Sequence, residues 1–242
     1  MAALPPTVVI DEPRTNLGAS GGAPPPAKGG GGDDSGDFSS LPFAARLRRA
    51  RLGMAVAVSG IVMIFISFAS AYLVRQGLPT LDVRTGTLIH DWIWLQLPNL
   101  VLINTAVLLI SSLAMELARR QATRELAEAE ISVKHQGQIS WLALTVALGL
   151  SFLAGQLIVW RELAASGFYL GTSPSSSFVY LLTGMHGIHL LGGVLALLVA
   201  GAASLLRRPV SSRLVVLDVT GWYWHFMAFL WVCILCLLEF AR

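Results

Sequence analysis

The stretch FVYLLTGMHGIHLLGGVLALLVAGAA, residues 178–203, decides the fold, because it runs for 26 residues without one Asp, Glu, Lys or Arg. About 20 apolar residues in a helix are enough to cross a hydrocarbon core some 30 Å thick. At that depth the backbone finds no water, and a helix satisfies its N–H and C=O groups internally. Four further runs read the same way: Met54–Val74, Pro98–Ala114, Ile139–Trp160 and Trp222–Phe240. The expected fold is therefore all-α, an integral membrane bundle of five transmembrane helices. Three histidines fall inside these runs: His186 and His189 in the fourth, His225 in the fifth. An ionisable side chain in hydrocarbon must turn inward to a partner, so each is a candidate functional residue. Positions three apart share a helix face, and His186 and His189 are expected to point the same way.

Composition agrees with this reading. Of the 242 residues, 55% are hydrophobic and 13% charged, with a mean hydropathy of +0.67. Soluble domains carry about 25% charged residues. The isoelectric point near 9.2 does not imply a nucleic-acid partner, because the basic residues alternate by side. Arg46, Arg48, Arg49 and Arg51 precede the first span, Arg119, Arg120, Arg124 and Lys134 follow the second, and Arg207, Arg208 and Arg213 separate the fourth from the fifth. The other side holds Arg75, Arg84, Arg161 and Arg242. By the positive-inside rule the N-terminus is cytoplasmic and the C-terminus periplasmic.

Residues 1–45 form a Gly-, Pro- and Ser-rich segment with APPPAKGGGGDDSGD at its centre. Such a composition buries too little apolar surface to fold, and a disordered cytoplasmic tail is expected ahead of a transmembrane domain at 46–242. The order of its parts is not that of a signal peptide, because the basic cluster comes last. Deleting residues 1–40 is expected to leave membrane insertion and assembly intact, scored by recovery of the membrane complex. Loss of that complex on deletion would make the tail a docking segment.

Along the chain, Trp92 and Trp94 fit an interfacial aromatic belt, and Trp160 and Arg161 a second anchor. Pro98 suits the first turn of the second helix. From Asn99 to Gln136 there is neither Gly nor Pro. The spacing predicts a second helix that continues past the bilayer to a turn at Gly137, helped by Glu116–Arg120 and Arg124–Glu128 at i,i+4. A helix broken near Gln121 is the alternative. Pro209 is expected to close the fourth span.

Each candidate chemistry has a plainer competitor. The imidazoles could ligate haem, with His225 paired to His186 or His189 from another helix; or all three could hydrogen-bond between helices. Cys233 and Cys236 make a CxxC without the following His of a c-type haem site and read as small buried packing residues. Gly184, Gly187, Gly192 and Gly193 let helices approach closely. Asn104, Thr105, Ser111, Ser112 and Gln156 can hydrogen-bond across helix interfaces. A transporter would be better supported by buried charges or broken paired helices, which do not appear in the spans.

TGMHGIHLLGG and WYWHFMAFLW resemble the two signature segments of subunit III of haem-copper oxidases. RLGMAVAVSGIVMIFISFASAYLV, LPNLVLINTAVLLISS and LGLSFLAGQLIVWREL resemble the first three spans of the family's five-helix bacterial members, so the likeness covers about residues 50–240 in order. The resemblance implies a non-catalytic subunit of an oxygen-reducing complex, without haem or copper of its own. It would pack against the catalytic subunit I, with subunit II in the same complex, hold phospholipids in an interhelical cleft and support proton uptake in a bacterial inner membrane. It makes His186, His189 and His225 structural or proton-surface residues, and it leaves Trp224, Gln156, Asn104 and Gly187 as helix-packing residues. The same resemblance extends to accessory proteins of nitric oxide reductase. A free-standing b-type cytochrome is the alternative from another class.

The chain departs from the family pattern twice. Gly60 and Ile61 stand where many relatives carry a Ser-Glu pair, and Ala228 stands where the last signature usually has Asp. His225 therefore lacks its nearest acidic neighbour, and its hydrogen bond is expected from elsewhere.

Overall fold

A computed structural model describes residues 42–81, 86–89, 92, 98–127, 136–206 and 210–240. Five helices carry the chain: α1 (Phe43–Gly77), α2 (Leu100–Ala127), α3 (Gln136–Ala165), α4 (Pro174–Leu205) and α5 (Val210–Phe240). All five are long and apolar enough to cross a membrane. With 28 to 35 residues each, they run to roughly 42–52 Å, beyond a hydrocarbon core of about 30 Å. A two-residue antiparallel ladder, β1 (Thr80–Leu81) with β2 (Leu88–Ile89), follows α1 and is the one addition to the all-α expectation among the described residues.

The start of α4 shows why a helix begins where it does. Ser173 is the N-cap, its Oγ accepting from the Ser176 N–H while the Ser176 Oγ accepts from the Ser173 N–H, and Pro174 takes the first helical position. This reciprocal capping satisfies two N–H groups that the helix itself cannot. Ser173→Ala is expected to cost about 1 kcal/mol. Faster hydrogen exchange at the Ser176 amide is the measurement that checks it.

α2, α3, α4 and α5 pack on one another around Leu108, Met115, Phe152, Leu190, Trp224 and Met227, all fully buried. Because lipid tails are as apolar as leucine, such helices gain little by hiding leucine and instead associate through close fit and interhelical hydrogen bonds. Both are present. Trp224 lies edge-on against Gly149 of α3 and Gly193 of α4, where an added Cβ would fall 2.7 and 3.1 Å from the indole. The Trp224 Nε1–H donates to Ser111 Oγ at 3.2 Å, and that hydroxyl donates to the Thr145 carbonyl at 3.1 Å, joining α5, α2 and α3. The Trp231 Nε1–H donates to Thr105 Oγ1 at 2.9 Å. α1 stands apart: 6% of its most apolar window is buried, against 33–39% in the others, and it touches only α4 and α5 extensively.

Several expectations are corrected. Arg46, Arg48, Arg49 and Arg51 lie within α1, which begins at Phe43 and so takes in the end of the segment assigned to the tail; residues 1–41 lie outside the described residues. α2 runs unbroken through Gln121 to Ala127, and Gly137 is inside α3 rather than at the turn; residues 128–135, and with them Glu128, lie outside the described residues. The Glu116–Arg120 pair forms at 2.9 Å. Pro98 precedes α2, its carbonyl accepting from the Val101 N–H. Trp92 is buried edge-on against Tyr72, centroids 5.0 Å apart. Trp160 is half-buried and turned to α4, its Nε1–H donating to Thr183 Oγ1. Trp94 and Pro209 lie outside the described residues.

Candidate functional site

The polar side chains of the bundle fall into a buried middle group and a charged group near the starts of α1 and α5. In the middle, His186 is 0% exposed, enclosed by Phe152 of α3 and Trp231 of α5 at centroid distances of 6.0 and 5.1 Å. His189 turns elsewhere. It is half-buried, its Nδ1 is 2.7 Å from the Met185 carbonyl of its own helix, and its ring meets Phe65 of α1 at 5.9 Å. The expectation that the two point the same way is thus corrected: three residues leave side chains about 60° apart on a helix, and α4 uses that angle to address different neighbours. Gln156 is buried beside this layer, and Asn104 donates from Nδ2 to the Phe152 carbonyl at 3.0 Å.

The other group is built on α2 and α5. Ser112 Oγ lies 2.5 Å from His225 Nδ1, and Glu116 Oε2 lies 3.7 Å from His225 Nε2. Ser112 and Glu116 are one turn apart on α2, so a single helix face addresses both imidazole nitrogens. Glu116 accepts from Arg119 Nε at 2.9 Å and Arg120 Nε at 2.9 Å. Arg119 reaches on to Asp218 of α5 at 3.2 Å, and Asp218 accepts a forked pair of bonds from Arg51 of α1 at 2.8 and 3.0 Å. The Arg51 guanidinium also lies 5.9 Å over the Trp222 ring, a further attraction for a cation. Three helices thereby meet through five charged side chains.

The three imidazoles occupy three separate surroundings. Haem ligation by a histidine pair would need His225 to face His186 or His189; instead both His225 nitrogens address α2. Among the described residues no group of three His, Cys, Asp or Glu side chains gathers as a metal site. Cys233 and Cys236 are exposed, which corrects their reading as buried packing residues. Of the four glycines singled out, Gly193 is pressed against Trp224 and Tyr223 and Gly184 lies in ordinary contact with Trp160. Gly187 only grazes Leu153, and Gly192 meets nothing within 4 Å. Gly149 and Gly155 carry tighter contacts: a Cβ on Gly155 would collide with the Asn104 side chain. They lie in the unremarkable run LGLSFLAGQ, and only the spacing of small residues hinted at them.

The arrangement is that of a helix bundle cross-braced by polar contacts, and the sequence comparison agrees with it. The family model for cytochrome c oxidase subunit III matches residues 39–240. The chain belongs to the cytochrome c oxidase subunit III family. Relatives of this subunit III family member include the probable cytochrome c oxidase subunit 3 of Mycobacterium bovis, 29% identical over 42% of this chain and 50% of the relative. The cytochrome bo(3) ubiquinol oxidase subunit 3 of Pseudomonas aeruginosa is 32% identical over 55% of this chain and 60% of its own length. The cytochrome c oxidase subunit 3 of Lumbricus terrestris is 29% identical over 77% and 68%. The chain spans about half the length of the mycobacterial relative.

Within the subunit III frame, the departures at Ile61 and Ala228 acquire a structural setting. Ala228 is buried in the bundle, while His225 takes its partners from α2. Ile61 is half-buried on α1 and Gly60 exposed, with nothing within 4 Å of a Cβ placed there. The Arg51–Asp218–Arg119 network was not foreseen. Its signal was available only as isolated charges at helix ends, which topology alone already explained.

Proposed function

We propose that this chain is the non-catalytic subunit III of a haem-copper terminal oxidase in a bacterial cytoplasmic membrane. The match of the family model over residues 39–240 carries the reading. In it, the haem and copper of oxygen reduction sit on catalytic partner subunits, subunit I foremost with subunit II beside it. This chain stabilises subunit I and assists its proton uptake. The basic residues Arg46 to Arg51, together with Arg119 and Arg120, gather where α1 starts and α2 ends, which supports a cytoplasmic N-terminus. An apolar groove of about 320 Å³ between α1 and α5, lined by Phe65, Phe229 and Cys233 among others, supports an acyl chain of a phospholipid as its occupant.

Affinity purification through this chain in mild detergent, with mass spectrometry and a reduced-minus-oxidised spectrum, tests the proposal. A larger catalytic subunit carrying the haem absorbance is the expected result, and this chain, once stripped off alone, should carry no haem absorbance. Haem that stays on the isolated chain and is lost in His225→Ala would overturn it.

A further inference from the structure

The connection between α3 and α4, residues 166–173, is held in shape by its own hydrogen bonds. α3 closes on a glycine: the Gly167 N–H, at φ +85°, donates to the Ala164 carbonyl at 2.9 Å, and the Phe168 N–H to the Leu163 carbonyl at 3.0 Å. That pairing satisfies carbonyls the helix leaves open, and the positive φ suits glycine. Phe168 turns inward, 8% exposed, and the Tyr180 hydroxyl of α4 donates to its carbonyl at 2.9 Å. Tyr169 and Thr172 then close a four-residue turn. The Thr172 N–H donates to the Tyr169 carbonyl and the Tyr169 N–H to Thr172 Oγ1, each at 3.1 Å. Gly171, at φ +88°, takes the third position of the turn, where a positive φ is required. What this scaffold holds outward is Tyr169 and Leu170, 58% and 72% exposed.

Such a tip is built for a border poor in water. Of the seven amides from Gly167 to Ser173, five donate within the connection or to its flanking helices: those of Gly167, Phe168, Tyr169, Thr172 and Ser173. A backbone satisfied in this way loses little where water is scarce. No Asp, Glu, Lys or Arg occurs between Glu162 and Arg207, so the connection brings no ionised side chain to the membrane border. The other connection on that side, between α1 and α2, carries Asp82, Arg84 and Asp91. The tip also has a short reach. Leu170 is four residues from Pro174, where α4 begins, and both α3 and α4 are long and apolar enough to cross a membrane. At no more than ~3.6 Å per residue, the tip stays within roughly 15 Å of the start of α4. A tyrosine, with an apolar ring and a polar hydroxyl, suits the head-group level of a bilayer, and a leucine beside it suits the layer just beneath.

We propose that Tyr169 and Leu170 are a membrane anchor, the tip of the α3–α4 connection resting in the head-group layer of the leaflet at that end. Leu170 enters among the first carbons of the acyl chains, and the Tyr169 hydroxyl stays at the level of the ester and phosphate groups. The partner is a phospholipid surface. The anchor fixes the depth of α3 and α4 against sliding along the bilayer normal.

The test uses the full chain purified with its partners and returned to vesicles of phosphatidylethanolamine and phosphatidylglycerol. With Cys233 and Cys236 replaced by alanine, a spin label on Leu170→Cys reports collisions with oxygen, which concentrates in the bilayer, and with a nickel chelate, which stays in water. The expected result is a gain in oxygen collisions and a loss of nickel collisions relative to the free label in water. Both changes should fall short of those for a label on Ser67→Cys, an exposed position in the apolar run of α1. Nickel collisions as frequent as those of the free label would place the tip in water and overturn the anchor. A loss of collisions with both reagents would seat the tip against a partner protein and overturn it equally. Solid-state NMR on the full chain with ¹³C-labelled tyrosine rings, in the same vesicles, makes the check without altering the tip. The chain has four tyrosines, and Tyr169→Leu identifies the signal. Magnetisation from lipid glycerol protons should reach the Tyr169 ring; transfer from water protons alone would count against the anchor.

Discussion

Replacing Trp224 with alanine is expected to destabilise the bundle by about 3 kcal/mol, the lower end of the usual range for a buried Trp→Ala change. The lower end applies because lipid, not water, surrounds the unfolded reference helices, so little transfer energy is lost. What is lost is contact. The indole is fully buried, fits against Gly149 and Gly193, and donates to Ser111. Alanine leaves a cavity at the meeting point of four helices and deprives Ser111 of a donor. Trp224→Phe separates the two contributions, since it keeps most of the volume and drops only the hydrogen bond, about 1 kcal/mol. Gly149→Val approaches the same joint from the other side, forcing a side chain into the indole. Unfolding in mild detergent, followed by tryptophan-independent helicity, measures all three. A Trp224→Ala variant as stable as the parent would show that the joint does not hold the bundle together.

Asp218→Asn is expected to loosen α1 from the rest of the chain. Asp218 is the shared anion between Arg51 of α1 and Arg119 of α2, with its own side chain 13% exposed. Asparagine retains the shape and removes the charge, leaving two guanidinium groups facing each other. Fully exposed pairs contribute about 0–1 kcal/mol and buried ones cost 3–5 kcal/mol when one partner is removed. Arg51 is 45% exposed on its side chain, which places the loss between them, at about 2 kcal/mol. α1 is sensitive to such a loss because so little of it is buried. With Cys233 and Cys236 replaced by alanine, spin labels at exposed positions Ser59 on α1 and Ser151 on α3 report the separation. The expected result is a broader distance distribution in Asp218→Asn and an unchanged one in Arg120→Gln, whose side chain is exposed. An equally narrow distribution in Asp218→Asn would mean that the aromatic contacts of Phe65 and Tyr72, with the Arg46–Ser212 hydrogen bond, hold α1 without the Asp218 carboxylate.

His225 illustrates how far a sequence reaches. Its position inside an apolar run, and the alanine at 228, were enough to require a hydrogen bond from elsewhere. The partners of that environment, Ser112 and Glu116, lie 113 and 109 residues away, and nothing local points to them. Glu116 itself is read from sequence as the i,i+4 partner of Arg120. That pair exists, yet the same carboxylate also bonds Arg119 and faces His225. Gln156 was legible as a polar residue in a span, while the lack of a partner for its Oε1 among the described residues depends on where three other helices come to rest.

The sequence by itself determined the five membrane helices, the all-α class and the family. Crossing a bilayer needs a fixed length of apolar chain, and backbone groups there must be satisfied within their own segment; both conditions are written along one dimension. α1, α3 and α4 extend beyond their apolar cores at both ends, α2 at its end and α5 at its start, because those turns carry charged or polar residues that a hydropathy reading takes for loops. Only the tertiary structure decided which neighbour each polar side chain meets. It turned His186 into the core and His189 toward α1, and it chose Gly149, Gly155 and Gly193 as the places where helices touch. It also brought Arg51, Arg119 and Asp218 together from three helices. Such choices depend on helix rotation and crossing, which small differences in packing fix and which no single segment contains.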